Sequence, residues 1–185
     1  MIVVEGMDGA GKTSIASILG EWLGWPVVHA GGPPKDEEYV LQWMQTCLDR
    51  TREKVIQDRV TQISEVVYGT VSNRNNLAGL ALYGLGPMMA SGAIFVCCRP
   101  PTATILDNLR RHSAKAWDTP EHVATVKMQS MKLIELYDTL FATLRRGNRA
   151  IMFDYTVDAA GDDLKWTLYN AIPFKDRPIE LRRPR

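Results

Sequence analysis

The stretch Ile2-Val3-Val4-Glu5-Gly6-Met7-Asp8-Gly9-Ala10-Gly11-Lys12-Thr13 decides the fold. Its β-branched start reads as a buried strand. The eight residues from Gly6 then match G-x-x-x-x-G-K-[ST] at every fixed position, ahead of a helical pattern over Lys12 to Leu23. Glycines at these positions let the backbone wrap a phosphate with successive N–H groups turned inward, and the helix that follows adds the positive end of its dipole. Gly6, Met7, Asp8, Gly9, Ala10, Gly11, Lys12, Thr13 and Ser14 are therefore the candidate nucleotide-binding residues. Lys12 is expected to reach the β- and γ-phosphates of ATP, and the Thr13 hydroxyl to ligate Mg²⁺. The plainer alternative, a glycine-rich turn that merely joins strand to helix, fits the strand–loop–helix context less well.

Outward from this loop, short β-branched runs alternate with helical patterns, the signature of a parallel sheet built from βα units. Further strands are expected at Pro26 to His29, Lys54 to Asp58, Ala93 to Cys98 and Ala150 to Phe153. Helices are expected over Asp36 to Asp49, about Val60 to Val71, Thr102 to His112 and Glu121 to Arg146. On the last of these, Val123, Val126, Met131, Leu133, Ile134, Tyr137, Leu140, Phe141 and Leu144 recur at helical spacing and read as core. The fold class is thus α/β, a five-stranded parallel sheet flanked by helices. Residues 1–172 form a single domain and residues 173–185 a basic tail.

Composition narrows the classes. A chain of 185 residues with 45% apolar and 23% charged residues has globular averages, which argues against disorder, collagen-like repeats and coiled coils. The net charge of +1 provides no overall field to gather nucleic acid or an anionic membrane. Four basic residues between Arg99 and Trp117 stand against Asp107 alone, however, so the balance conceals a locally basic segment. Cys47, Cys97 and Cys98 follow neither metal-ligand nor disulfide spacing and read as buried thiols of a reducing, cytoplasmic compartment. No basic n-region precedes an apolar stretch at the N-terminus, so no signal peptide is expected. The uncharged run Leu77 to Cys98 is long enough to cross a bilayer, but Gly79, Gly84, Gly86, Pro87, Ser91 and Gly92 are expected to break it into a helix end, a loop and a short strand.

Two carboxylates mark the site. Asp8 beside bound polyphosphate is electrostatically costly unless it accepts a hydrogen bond from a second substrate or pairs with an arginine. Asp58-Arg59 closes the third strand, and in an open parallel sheet strand ends face the ligand crevice. There Asp58 can hold Mg²⁺ through water or orient an attacking oxygen, and Arg59 can grip a phosphate bidentately. A helix N-cap followed by a surface arginine is the alternative.

Glu5-Gly6-Met7-Asp8-Gly9-Ala10-Gly11-Lys12-Thr13, followed by Asp58-Arg59, Ser64 and Tyr68-Gly69, resembles the thymidylate kinase family and the short deoxynucleoside monophosphate kinases of bacteriophages. The resemblance runs from about Met1 to Asp158 and implies the P-loop nucleoside monophosphate kinase fold, with dTMP as first acceptor. It implies that Asp8 contacts the 3′-hydroxyl side of the acceptor deoxyribose, that Arg59 binds the acceptor phosphate, and that Asp58 serves near Mg²⁺. Ser64 and Tyr68 would lie at the acceptor's sugar or base, and the active protein would be a homodimer. Gly9 follows Asp8 where some members carry a catalytic arginine, so the chain resembles the type whose arginines come from a lid. Arg110, Arg111 and Lys115, within a lid at about residues 110–120, would supply that charge; an ordinary basic helix end is the alternative.

Two departures from the family pattern stand out. The loop His29-Ala30-Gly31-Gly32-Pro33-Pro34 has no arginine, and Arg74 is the candidate replacement. Ser64 falls one place later after Asp58-Arg59 than in the common pattern. Donor adenine is expected beside Tyr155 and Val157 after the fifth strand. A kinase of deoxynucleosides or of a modified base in DNA, and a nucleotide-binding switch or partner-regulated ATPase, remain as rival functions. The tail from Lys175 is basic but lacks interleaved aromatics, so nucleic acid is not the expected partner.

Overall fold

In a computed structural model, residues 1–29, 36–72, 75–111, 120–146 and 150–153 are described. The strands are β1 (Ile2–Glu5), β2 (Val27–His29), β3 (Ile56–Asp58), β4 (Ile94–Cys98) and β5 (Ala150–Phe153), all parallel in the order β2-β3-β1-β4-β5. The helices are α1 (Lys12–Leu23), α2 (Glu37–Asp49), α3 (Thr61–Ser64), α4 (Asn75–Ala90), α5 (Thr102–Arg111), α6 (Pro120–Met128) and α7 (Ser130–Arg146). β1, the strand leading into the phosphate loop, lies centrally and is wholly buried, which explains its continuous apolar run. The register Val4↔Asp58 and Glu5↔Cys97 aligns the carboxyl ends of β1, β3 and β4 along one edge. Loops leaving those ends share a single crevice.

Several expectations are corrected or refined. Leu77 to Ala90 is not a helix end followed by a loop: α4 continues through Gly79, Gly84, Gly86 and Pro87. Leu77, Ala81, Leu85 and Met88 form its buried stripe, and that burial outweighs the weak intrinsic propensity of glycine. Pro87 falls in the last turn on the exposed side, where water can satisfy the carbonyl that its missing N–H leaves unpaired. Among the described residues no helix is long and apolar enough to cross a membrane.

The helix expected over Val60 to Val71 is present from Thr61 to Val71, with α3 at its start and a π-helical turn over Glu65–Gly69 within it. The helix expected over Glu121 to Arg146 is α6 and α7, divided only at Gln129. Its ladder continues there through Gln129 N–H to the Thr125 carbonyl (2.9 Å) and Leu133 N–H to the Gln129 carbonyl (2.9 Å). Met131 is 52% exposed and lies outside the core stripe, whereas Leu133, Ile134, Tyr137, Leu140, Phe141 and Leu144 are buried as expected.

Candidate active site

The phosphate loop needs its glycines for contact reasons. A Cβ on Gly6 would meet the Cys98 carbonyl oxygen at 2.5 Å, because the loop leaves β1 tight against the end of β4. Gly9 combines φ +82 with an Ile105 carbonyl oxygen 2.9 Å from where its Cβ would be. The Ala10 N–H bonds to the Met7 carbonyl at 3.0 Å, and Lys12 Nζ donates to the same carbonyl at 2.8 Å. Lys12 is buried, which pushes its ammonium down from the usual lysine range, while the charges of Glu5 and Asp58 oppose that shift.

Across the crevice, Thr13 Oγ1 donates to Asp58 Oδ2 at 2.9 Å, and His29 Nδ1 lies 2.9 Å from the same oxygen. The end of β3, the end of β2 and the start of α1 therefore converge on one carboxylate. Thr13 and Asp58 supply the hard oxygens that suit Mg²⁺. Among the described residues no three His, Cys, Asp or Glu side chains cluster as a cage. A pair of protein oxygens fits an ion that completes its octahedron with water and nucleotide phosphates.

Asp8 joins the loop to the facing wall. Its Oδ1 accepts from the Arg59 guanidinium and lies 3.7 Å from Lys12 Nζ, while its Oδ2 accepts from the Tyr68 hydroxyl at 3.0 Å. Tyr68 belongs to the π-helical turn and packs edge-on against Tyr137, with ring centroids 6.2 Å apart and planes at 77°. Burial raises its phenol above the usual range, and the nearby Arg59 charge works against that rise. π-helical turns recur at functional sites because the extra residue re-aims a side chain. Here that turn carries Tyr68, whose hydroxyl reaches Asp8.

Beneath this wall, Glu5 is fully buried. Its Oε1 accepts from the Val60 N–H at 2.6 Å and its Oε2 from the Gly6 N–H at 3.3 Å. Desolvation raises its carboxyl to about 7, against the lowering effects of the Val60 bond and of Arg59 and Lys12. Arg59 has φ 74, the one positive value outside glycine among the described residues. For such a residue the left-handed region costs on the order of 1–3 kcal/mol and persists only where surrounding bonds enforce it. One of those bonds runs from the Arg59 N–H to the Val4 carbonyl at 3.1 Å.

The remaining site residues fall less centrally. Ser14 is exposed on the first turn of α1, and the half-buried Ser64 makes no hydrogen bond to the Asp8 network. Arg111 pairs with Asp107 at 2.6 Å on the surface of α5. Arg110 lines a cavity of about 250 Å³ with Leu106, Leu109, Lys127 and Ser130, between α5 and the α6–α7 junction. Arg99 binds Asp138 of α7 through two bonds (2.6 and 3.1 Å), which fixes it as an edge strut. Arg74, Lys115, Tyr155 and Val157 lie outside the described residues, as do residues 112–119 of the lid expected at about 110–120, the loop from 30 to 35 and the tail. Sequence reasoning missed Asn108, whose Nδ2 donates to the Gly9 carbonyl at 2.8 Å and brings α5 onto the phosphate loop. An asparagine one turn before two arginines carries no pattern that would have revealed it. Nor does the sequence give Glu5 a task, because the shorter of its two bonds, from the Val60 N–H, spans 55 residues.

A central β1, a phosphate loop running directly into α1 and a flanking parallel sheet decide the architecture. The chain has the fold of the P-loop kinases. The YorR protein of Bacillus subtilis, solved in complex with phosphorylated GDP, superposes with a TM-score of 0.60 at 17% identity, over 90% of this chain and 94% of that one. Deoxyadenosine kinase from M. mycoides with bound dCTP gives a TM-score of 0.56 at 16% identity, over 93% and 100%. The same enzyme with products dCMP and a flexible dCDP gives 0.57 at 14% identity, over 91% and 98%. No protein-family model matches the sequence, and no curated protein matches it.

Proposed function

We propose that the protein is an ATP- and Mg²⁺-dependent kinase that transfers the γ-phosphoryl group to a deoxynucleoside monophosphate. The observation that carries this reading is the Asp8 network, in which a carboxylate inside the phosphate loop holds Arg59 and Tyr68 of the facing wall. An arginine fixed beside a phosphate loop supplies a cation for a second phosphate, and its distance from the loop is that of one reaction rather than two sites. Thr13 and Asp58 are the residues that would hold Mg²⁺, which would supply positive charge against the negative charge developing on the transferred phosphoryl group. Lys12 would exchange the Met7 carbonyl for phosphate oxygens. Asp58 would stay oriented by Thr13 and His29. The basic residues Arg110, Arg111 and Lys115 would add positive charge from the lid.

The acceptor oxygen of a monophosphate is already ionised, so no general base is needed, consistent with Glu5, Asp8 and Asp58 all being engaged by protein donors. Resemblance makes dTMP the first acceptor to test, with Tyr68, Ser64 and Arg74 toward sugar and base and Tyr155 and Val157 toward donor adenine. A deoxynucleoside acceptor is the second reading, favoured by the fold shared with deoxyadenosine kinase. A homodimer is supported by the outward face of α4, where Leu80, Leu82 and Tyr83 are exposed and no charged residue occurs on the helix. Incubation with γ-labelled ATP and a panel of deoxynucleosides and their monophosphates tests the reading. Label is expected in a deoxynucleoside diphosphate; label found in inorganic phosphate alone contradicts it.

A further inference from the structure

We propose that Glu5 is a positioning residue that sets the conformation of Arg59. The carboxylate sits where the phosphate loop and the exit of β3 come closest, accepting from Gly6 N–H on one side and Val60 N–H on the other. Arg59 is held between two bonds that run back to β1, its own N–H to the Val4 carbonyl and the next N–H to Glu5. With its neighbours pinned at both ends, the backbone stays left-handed and the guanidinium projects across β1 to Asp8. Released from Glu5, Arg59 relaxes toward the φ that arginine prefers, and its side chain swings away from the loop.

Glu5 thus shapes the acceptor site without touching it. What it contributes is an acceptor oxygen at the correct reach rather than a charge or a proton. This inference rests on the reading of Arg59 as ligand of the acceptor phosphate.

The test is a set of Glu5 variants assayed for ADP formation, with ADP binding measured separately. Glu5→Asp keeps the charge but is one methylene too short for Val60; it should raise the acceptor KM about ten-fold and lower kcat, with the Kd for ADP changed by less than about three-fold. Glu5→Gln keeps an oxygen for the short bond from Val60 N–H, gives up only the 3.3 Å bond from Gly6 N–H, and should stay within about five-fold of wild type. In an Arg59→Ala background, Glu5→Asp should add less than about two-fold, because both changes remove the same interaction. An Asp variant that behaves as wild type while the Gln variant is inactive overturns the inference, as do effects of Glu5→Asp and Arg59→Ala that multiply. If wild-type protein phosphorylates no acceptor, the kinase reading fails. The inference is then judged by a crystal structure of Glu5→Asp, where loss of the positive φ at Arg59 supports it and retention overturns it.

Discussion

Within the phosphate loop, Lys12 bonds to a carbonyl five residues away, whereas on the facing wall Arg59, Val60 and Tyr68 reach partners 51, 55 and 60 residues distant. The loop is a local structure: glycines, a tight turn and a helix start produce it wherever that sequence follows a strand. The wall exists only when β1 and β3 are paired in register and α7 has docked Tyr137 against Tyr68. Donor binding should therefore be robust to distant substitutions, and the acceptor side should respond to them first.

Breaking the loop gives the largest effect. Lys12→Ala removes the one buried cation of the loop and should lower kcat about 100- to 1,000-fold, as loss of a preorganised transition-state cation or donor does, measured by ADP formation at saturating substrates. Breaking the wall is more selective. Arg59→Ala should raise the acceptor KM and lower kcat, for a loss of about 10- to 100-fold in kcat/KM, while ADP affinity barely changes. An equal loss of ADP affinity would dissolve the distinction between loop and wall. Tyr68→Phe sharpens it by deleting one hydroxyl bond to Asp8; a change of about 2- to 10-fold confined to the acceptor KM is expected.

Two smaller effects concern stability. Burial raises the Glu5 carboxyl from its ordinary 4.5 to about 7, so between those values the folded chain retains a proton that the unfolded chain has released. The contribution of this group to stability is full below about pH 4.5 and is lost as pH rises to about 7, a change of about 3 kcal/mol at most. Thermal melts of wild type and Glu5→Gln across that window should show the difference, the variant lacking this part of the slope. Parallel melting curves would remove Glu5 from the pH response. Gln57, at 0% exposure on β3, leaves both amide atoms without a hydrogen bond. Gln57→Met should stabilise the fold by about 1–2 kcal/mol in denaturant titration, because an unsatisfied buried amide is replaced by an apolar chain of similar length. A lower midpoint would mean that the amide has a partner in solution.

The same contrast governs what the sequence made legible. Gly6 to Thr13 disclosed strand, loop, helix and candidate nucleotide site together, because eight adjacent residues encode all of them. Asp58 and Arg59 were legible as strand-end residues by the rule that parallel strands point their carboxyl ends at the crevice. The pairing of Asp8 with Arg59 was foreseen only as one of two options, since charge chemistry demanded a partner for Asp8 but could not say which. The bond of Glu5 to Val60, the contact of Asn108 and the π-helical turn are not legible in the sequence, because each depends on tertiary neighbours with no periodicity of their own. α4 is hidden for the opposite reason: local glycine and proline signals point to a break, and the packing of Leu77, Ala81, Leu85 and Met88 overrides them.

The central claim is that loop and wall form one site for two phosphate-bearing substrates. Its most direct test is the initial rate of ADP formation by the wild-type protein with MgATP, measured without an acceptor, with each deoxynucleoside, and with each deoxynucleoside monophosphate. The account predicts that at least one monophosphate raises the rate far above both other conditions. A rate that is the same with and without every acceptor, or that rises only with nucleosides, would contradict it.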